Sequence, residues 1–325
     1  MEITFCVPTY NRKDLLDRAI KSIINLPFEK RIIISDNASS DSTKDYCVSL
    51  VNDFDYITYY RQSENIGFVN NTLFVIDKCV TEKVVILADD DYLLESAFAE
   101  FYNFAVSLNS EIVCAKANRI DSSGQIRNTL PVKSYLNKYY CEDEATQLIM
   151  SDILMWTSVI FGTEALKESI KSLQLTTDDC RYRLAIDVAI LYYFAKKYGL
   201  HSYNNAVMVF YDHNDQTSKP KNEDFFIRLY LSRVSCYDII SNGDSNHHKS
   251  IYLVNLVLKS RLQNFKAAQI VFLQYLNVSS LTLFYYLKLR FIQHFPLLFL
   301  KIYYRIQLFI VWVKLRLQVF TNLQK

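Results

Sequence analysis

Short apolar runs rich in β-branched residues alternate with stretches of helical period through the opening third of the chain. Runs at residues 3–8, 31–36, 57–61, 84–88 and 111–117 predict strands, and the intervening stretches 13–24, 42–52, 69–79 and 95–108 predict helices. This βαβ rhythm implies an α/β fold built on a doubly wound, mainly parallel sheet. Ligands of such sheets bind beyond the carboxyl ends of the strands. The polar clusters fall there: Thr9 to Arg12, Asp36 to Thr43, Asn65 to Asn71, and Asp89-Asp90-Asp91.

From 118 to 220 the pattern is less regular. Ser122-Ser123-Gly124 signals a turn, residues 158–161 read as a strand, 182–198 as a helix stopped by Gly199, and 206–211 as a further strand. Beyond 221 strand alternation vanishes: an amphipathic helix runs to the break Asn242-Gly243-Asp244, and the remainder is helical and rich in Leu, Phe and Tyr. Three segments follow, 1–117, 118–220 and a helical extension at 221–325.

With 325 residues, half of them hydrophobic, the chain can bury a large core and is neither disordered nor fibrous. Its seven scattered cysteines show no pair at the two-residue spacing of zinc or redox motifs, which implies reduced thiols on the cytosolic side. The first residues run straight into a strand, so no secretory signal is expected. The net charge of +2 hides an asymmetry: residues 245–325 carry eleven Lys and Arg and no acidic residue, so the body before them is acidic. An acidic body with a basic arm points to an anionic membrane surface ahead of nucleic acid.

The aspartate triplet follows the buried-looking run 84–88. Clustered carboxylates at the mouth of a fold are costly to desolvate and repel one another, so they commonly hold a hard divalent cation. The competing reading is a solvated turn capping the helix that begins near Glu95.

With these clusters in place, the first hundred residues resemble the inverting family 2 glycosyltransferases of the GT-A fold. The resemblance rests on Val7-Pro8-Thr9-Tyr10-Asn11-Arg12, on Ser35 to Thr43, on Asn65-Ile66-Gly67-Phe68 with Asn71 beyond, and on Ala88-Asp89-Asp90-Asp91. The nearest flavour is that of bacterial enzymes building O-antigen, capsule or related cell-surface polysaccharides. The resemblance implies a nucleoside diphosphate sugar donor, a divalent Mn or Mg ion as cofactor, and a lipid-linked glycan acceptor. It makes 1–117 the nucleotide-sugar half and 118–220 the acceptor half.

The resemblance implies nucleotide contacts from Pro8, Thr9, Tyr10, Arg12, Asp36, Asn65, Gly67, Asn71, Asp89 and Asp90, with Asp36 accepting from the N3–H of uracil. Asp36 has the alternative task of holding the turn Asn37 to Ser40. The aspartate motif admits two registers, with either Asp89 and Asp91 or Asp90 and Asp91 as the pair; Asp91 serves in both, and Asp89 leans toward ribose. His213, in Tyr211-Asp212-His213, resembles the closing histidine of the family, although Tyr211 stands where an arginine is usual. A general base is also needed, and Asp187 in its apolar helix is the candidate, with Asp178 and Asp179 as alternates. Trp156 is a sugar-stacking platform or a core residue.

Two rivals stand beside this reading: a nucleotidyltransferase, which would want a glycine-rich basic loop where Thr9-Tyr10-Asn11-Arg12 has no glycine, and a catalytically silent membrane scaffold. A dehydrogenase is disfavoured because no Gly-x-Gly-x-x-Gly follows a strand.

The longest charge-free run after Pro296 is 306–313, far short of a membrane span. A helix lying on the inner face of the membrane fits better, with Lys301, Arg305 and Arg316 within an arc of about 60° at about 100° per residue. A homo-oligomer contact is the alternative. Replacing these three residues with Glu is expected to release the protein from anionic vesicles in a flotation assay, and added salt should weaken the unmodified protein's binding. A variant that stays on vesicles but changes its mass in solution marks the helix as an oligomer contact.

Overall fold

The computed structural model describes residues 2–130, 137–151, 156–173 and 186–213. The chain divides into two compact units, Met1–Lys219 and Pro220–Lys325, and all described residues belong to the first. The basic arm, Asp178 and Asp179 therefore lie outside the described residues.

Four parallel strands open the sheet: β1 (Ile3–Thr9), β2 (Lys30–Asp36), β3 (Ile57–Arg61) and β4 (Lys83–Ile86), in the order β3-β2-β1-β4. All seven residues of β1 are buried. Helices cover such a strand on both faces, so its sequence is a continuous apolar run and not an alternation. The crossovers are α1 (Lys13–Ile24), α2 (Thr43–Asp53) and α3 (Phe68–Asp77). On α1 the buried Leu16, Ala19, Ile20 and Ile23 fall at helical spacing and form one stripe against the sheet.

The second half contains β5 (Tyr92–Leu93), α4 (Glu95–Val106), β6 (Ile112–Asp121), β7 (Ile126–Leu130), β8 (Tyr139–Tyr140), α5 (Glu142–Ser151), a 3-10 turn at Trp156–Ser158, β9 (Val159–Gly162), α6 (Thr163–Ser172), α7 (Ile186–Tyr198) and β10 (Leu200–Asp212). β9 lies between β4 and β6 and is antiparallel to both, while β10 is parallel to β6. The expected parallel sheet is therefore parallel through its first four strands and mixed beyond them. Because β9 reverses once on each side, β6 and β10 run in the direction of β1 and β4. Their carboxyl ends open on one edge.

Helix α4 seats its rings on β1: Phe5 and Phe98 lie 5.6 Å apart, and Phe98 meets Phe101 edge to face at 5.7 Å. Strand β10 begins at Leu200, earlier than the predicted residue 206. Its pairing with β6 shifts register between Ser202 and Met208, so the polar Asn204 and Asn205 fall in an irregular stretch that breaks the alternation. Gly199, at φ 67°, ends α7, and a Cβ there would approach the Tyr140 carbonyl to 2.4 Å. The described cysteines Cys6, Cys47, Cys79, Cys114 and Cys141 are all free thiols. Among the described residues no helix is long and apolar enough to cross a membrane.

Asn71 ties α3 to β2: its amide nitrogen donates to the Ser35 carbonyl at 2.8 Å, and its oxygen accepts from the Ser35 hydroxyl at 2.6 Å. Asn71→Ala leaves buried partners unsatisfied and is expected to lower unfolding free energy by about 1–3 kcal/mol. Urea denaturation measures the loss.

Candidate active site

Three polar turns at the carboxyl edge are stitched together by short hydrogen bonds. Asn11, at φ 51°, accepts from the Ser40 amide at 2.7 Å, and its own amide donates to the Ser39 hydroxyl at 2.9 Å, joining the turn after β1 to the turn after β2. Asn37 then joins the second turn to the third: its amide group donates to Asn65 at 2.9 Å and its oxygen accepts from the Ile66 amide at 2.8 Å. Asx side chains suit this task because they hydrogen-bond backbone locally and tolerate left-handed conformations.

The aspartates follow β4. Asp89 is held from both sides: Thr9 donates to Oδ2 at 2.8 Å, and Arg12 donates to Oδ1 at 2.9 Å. Arg12 also reaches Oδ2 of Asp90 at 3.2 Å, where the His213 Nε2 lies at 3.1 Å. The Tyr211 amide donates to Oδ1 of Asp91 at 3.2 Å. Arg18 of α1 donates to the Asp90 carbonyl at 2.9 Å. All three carboxylates are buried. Burial, then the Asp90 charge, push the Asp89 carboxyl up to about 6 against the opposing pull of Arg12, and the same two causes hold Asp91 well above the usual carboxylate range.

Excess buried negative charge of this kind suits a hard cation. Among the described residues no three His, Cys, Asp or Glu groups form a ready cage. A cation shared with substrate phosphates needs only one or two protein carboxylates, and Asp90 and Asp91 offer them with an imidazole alongside. The residues present fit such an ion. Asp89, also expected among its ligands, has one partner on each oxygen, Thr9 on Oδ2 and Arg12 on Oδ1, and Asp90 carries both Arg12 and His213 on its Oδ2, so both registers of the motif stay open. An open cavity of about 820 Å³ lined by Asp17, Arg18, Lys21, Tyr92 and Glu95 shares Arg18 with this cluster, but its mixed charges carry no comparable chemistry.

Residues 4–153 match the family model described as Glycosyl transferase family 2. The chain carries a family 2 glycosyltransferase domain. A 104-residue stretch is 43% identical to the GalNAc(5)-diNAcBac-PP-undecaprenol beta-1,3-glucosyltransferase of Campylobacter jejuni, covering 30% of this chain and 32% of that protein. The match thus spans about a third of that relative's length. In structure the chain is similar to Staphylococcus aureus TarS in complex with UDP, with TM-score 0.60 and 14% identity over 80% of this chain and 72% of that one. It is also similar to the mannosyltransferase PcManGT of Pyrobaculum calidifontis in complex with GDP-Man and Mn2+, with TM-score 0.53 and 15% identity over 86% and 76% of the two chains. At these identities the structural likeness establishes the GT-A fold.

Within the family 2 domain several residues expected at the nucleotide also hold the turns around it. Asp36 is fully buried; its carboxylate accepts from the Ser39 amide and the Tyr59 hydroxyl, both at 2.8 Å, and pairs with Arg61 at 3.4 Å. It does the turn-holding task named as the alternative to its contact with uracil. Asn71 is turned inward likewise, with Ser35 on both its amide atoms. Pro8 is buried within β1, opposite Ser35. Gly67 precedes α3 at φ 84° with open space where a Cβ would stand, so backbone conformation and not crowding selects glycine there. Its amide donates to Asn65 at 2.9 Å. Tyr10 stands exposed at the rim.

Asp187 sits in the first turn of α7 and is half-buried, less enclosed than its apolar neighbours imply, because Ile186, Ala189 and Ile190 take the buried face. Helix α6 starts at the amino edge, where β9 ends beside Lys83, and α7 runs back along it through Lys197–Glu168 and Tyr193–Ser172 contacts. The start of α7, with Asp187, thus lies toward the carboxyl edge. Trp156 is buried, 7% exposed, with its ring 6.3 Å from that of Phe68, which is 46% exposed. The core reading of Trp156 prevails, and Phe68 is the ring that faces outward. Sequence reading missed Arg18, because one basic residue on an amphipathic helix carries no signal beyond a solvated face.

The raised Asp89 pKa has a defined consequence for stability. A carboxyl titrating near 6 when folded and near 3.9 when unfolded contributes stability that is fully present below about pH 4 and lost as pH rises through about 6. Chemical denaturation of the ligand-free protein between pH 4 and 7 should show this fall, and Asp89→Asn should flatten it.

Proposed function

We propose that the chain is an inverting glycosyltransferase that moves a sugar from a nucleoside diphosphate donor, a uridine one, to a lipid-linked or polymeric glycan of the bacterial cell surface. The observation that carries this reading is the meeting of Asp90, Asp91, Arg12 and His213 at the carboxyl edge of a family 2 domain. The undecaprenol-linked substrate in the Campylobacter relative's name supports the acceptor class, and the UDP complex of TarS supports the donor.

In this mechanism the stitched turns after β1, β2 and β3 receive the nucleotide, with Tyr10 at their rim. Arg12 offsets the charge of Asp89 and Asp90, which lets two carboxylates stay close where a diphosphate must also bind. A divalent ion held by Asp91 and Asp90, with His213 alongside, supplies the positive charge that stabilises the departing nucleoside diphosphate. Asp187 accepts the proton of the acceptor hydroxyl as its oxygen attacks the anomeric carbon from the face opposite the leaving group. Inversion follows from that single in-line displacement. The basic extension brings the enzyme to the cytosolic membrane face, where a lipid-linked acceptor is presented.

A thermal-shift panel of nucleoside diphosphates and their sugars, with and without manganese, tests the donor and the ion together. Manganese-dependent stabilisation by UDP is the expected result, and no response to any nucleotide would overturn the reading. Asp91→Asn should abolish both that stabilisation and transfer.

Asp187→Asn keeps size and shape but loses the base, so turnover should fall by about a hundredfold or more with donor affinity little changed. Single-turnover assays at saturating acceptor measure this, and unchanged turnover would move the role to Asp178 or Asp179.

A further inference from the structure

We propose that Arg18 is a positioning residue for the cation site, locking Tyr211, and through it His213, against the aspartate turn. The inference rests on the metal-dependent reading above. Arg18 extends from α1 and its guanidinium carbon lies between two rings, 4.6 Å from the centroid of Tyr92 and 4.3 Å from that of Tyr211. One terminal nitrogen donates to the Asp90 carbonyl at 2.9 Å. Its Nε is buried, with no hydrogen-bond partner among the described residues.

Tyr211 passes this restraint on. Its ring stacks on that of His213, 5.4 Å between centroids at 19°, and its amide donates to Asp91 at 3.2 Å. Beyond it, the His213 Nε2 stands 3.1 Å from Asp90. Arg18 therefore touches both walls of the site: the backbone that carries the carboxylates and the ring that backs the imidazole. A planar guanidinium can stack between two rings while donating in its own plane, whereas a compact ammonium cannot do both. The two walls come from strands that are not neighbours in sequence, and a side chain bound to both sets their spacing. Groups beyond the ligands fix ligand orientation and thereby metal affinity.

The test uses the full chain. Mn2+ is titrated against protein with saturating UDP, free ion is read by electron paramagnetic resonance, and thermal unfolding is measured without ligand. Arg18→Lys and Tyr211→Leu should each weaken Mn2+ binding about tenfold or more, and the double variant should lose no more than either single one, because both break the same stack. Tyr211→Phe keeps the ring and should bind Mn2+ as the unmodified protein does. Losses that add in the double variant, or a lowered unfolding temperature with unchanged Mn2+ affinity, would reduce Arg18 to a structural staple and overturn the proposal. If Arg18→Lys does not fold, the contrast between Tyr211→Leu and Tyr211→Phe decides, and equal affinity of those two variants counts against the lock. Should the unmodified protein bind no Mn2+ with UDP, the metal reading itself fails and takes the lock with it.

Discussion

Mutual repulsion among three buried carboxylates is the constraint around which this fold is arranged. Asp89, Asp90 and Asp91 follow directly from β4, and nothing in the strand itself offsets their charge. Thr9 and Arg12 come from the end of β1, Arg18 from α1, and His213 and the Tyr211 amide from the end of β10. Burial keeps the interactions strong, since charges attract and repel most where water is excluded. A site of this kind is poised for a partner that brings positive charge of its own.

Against this charged centre, the neighbouring rim is neutral. Asn11, Asn37, Asn65 and Ser39 link three consecutive turns through amide and hydroxyl groups, and Asp36 is turned inward to hold one of them. The shape of this edge is thus set within the protein before any ligand arrives, which limits the ordering that binding must impose.

The first four strands and their helices were legible because burial on both faces writes continuous apolar runs, and amphipathic α1 shows its stripe at Leu16, Ala19, Ile20 and Ile23. The two-residue strands β5 and β8 are too short to carry a period, and the antiparallel insertion of β9 is a matter of pairing that no local pattern encodes. That Asp91, Arg12 and His213 meet at one edge could be anticipated from residue type and place at strand ends. The inward turns of Asp36 and Asn71 could not, since a polar residue after a strand looks the same whether it meets a ligand or a neighbouring backbone. Arg18 was invisible for a related reason: its role depends on two rings, Tyr92 and Tyr211, that lie far apart in sequence.

The separation of the two walls also imposes an order of assembly. Tyr211 and Asp91 are 120 positions apart, and His213 and Asp90 are 123 apart. During synthesis the chain emerges from its amino end, so the aspartate turn leaves the ribosome long before the strand that carries its imidazole. Until β10 docks between β6 and β5, the carboxylates have Thr9, Arg12 and Arg18 as partners but neither the imidazole nor the Tyr211 amide. The carboxylate cluster is thus among the last parts of the described fold to close, and a nascent or truncated chain ending before residue 211 holds the first four strands with that cluster unfinished.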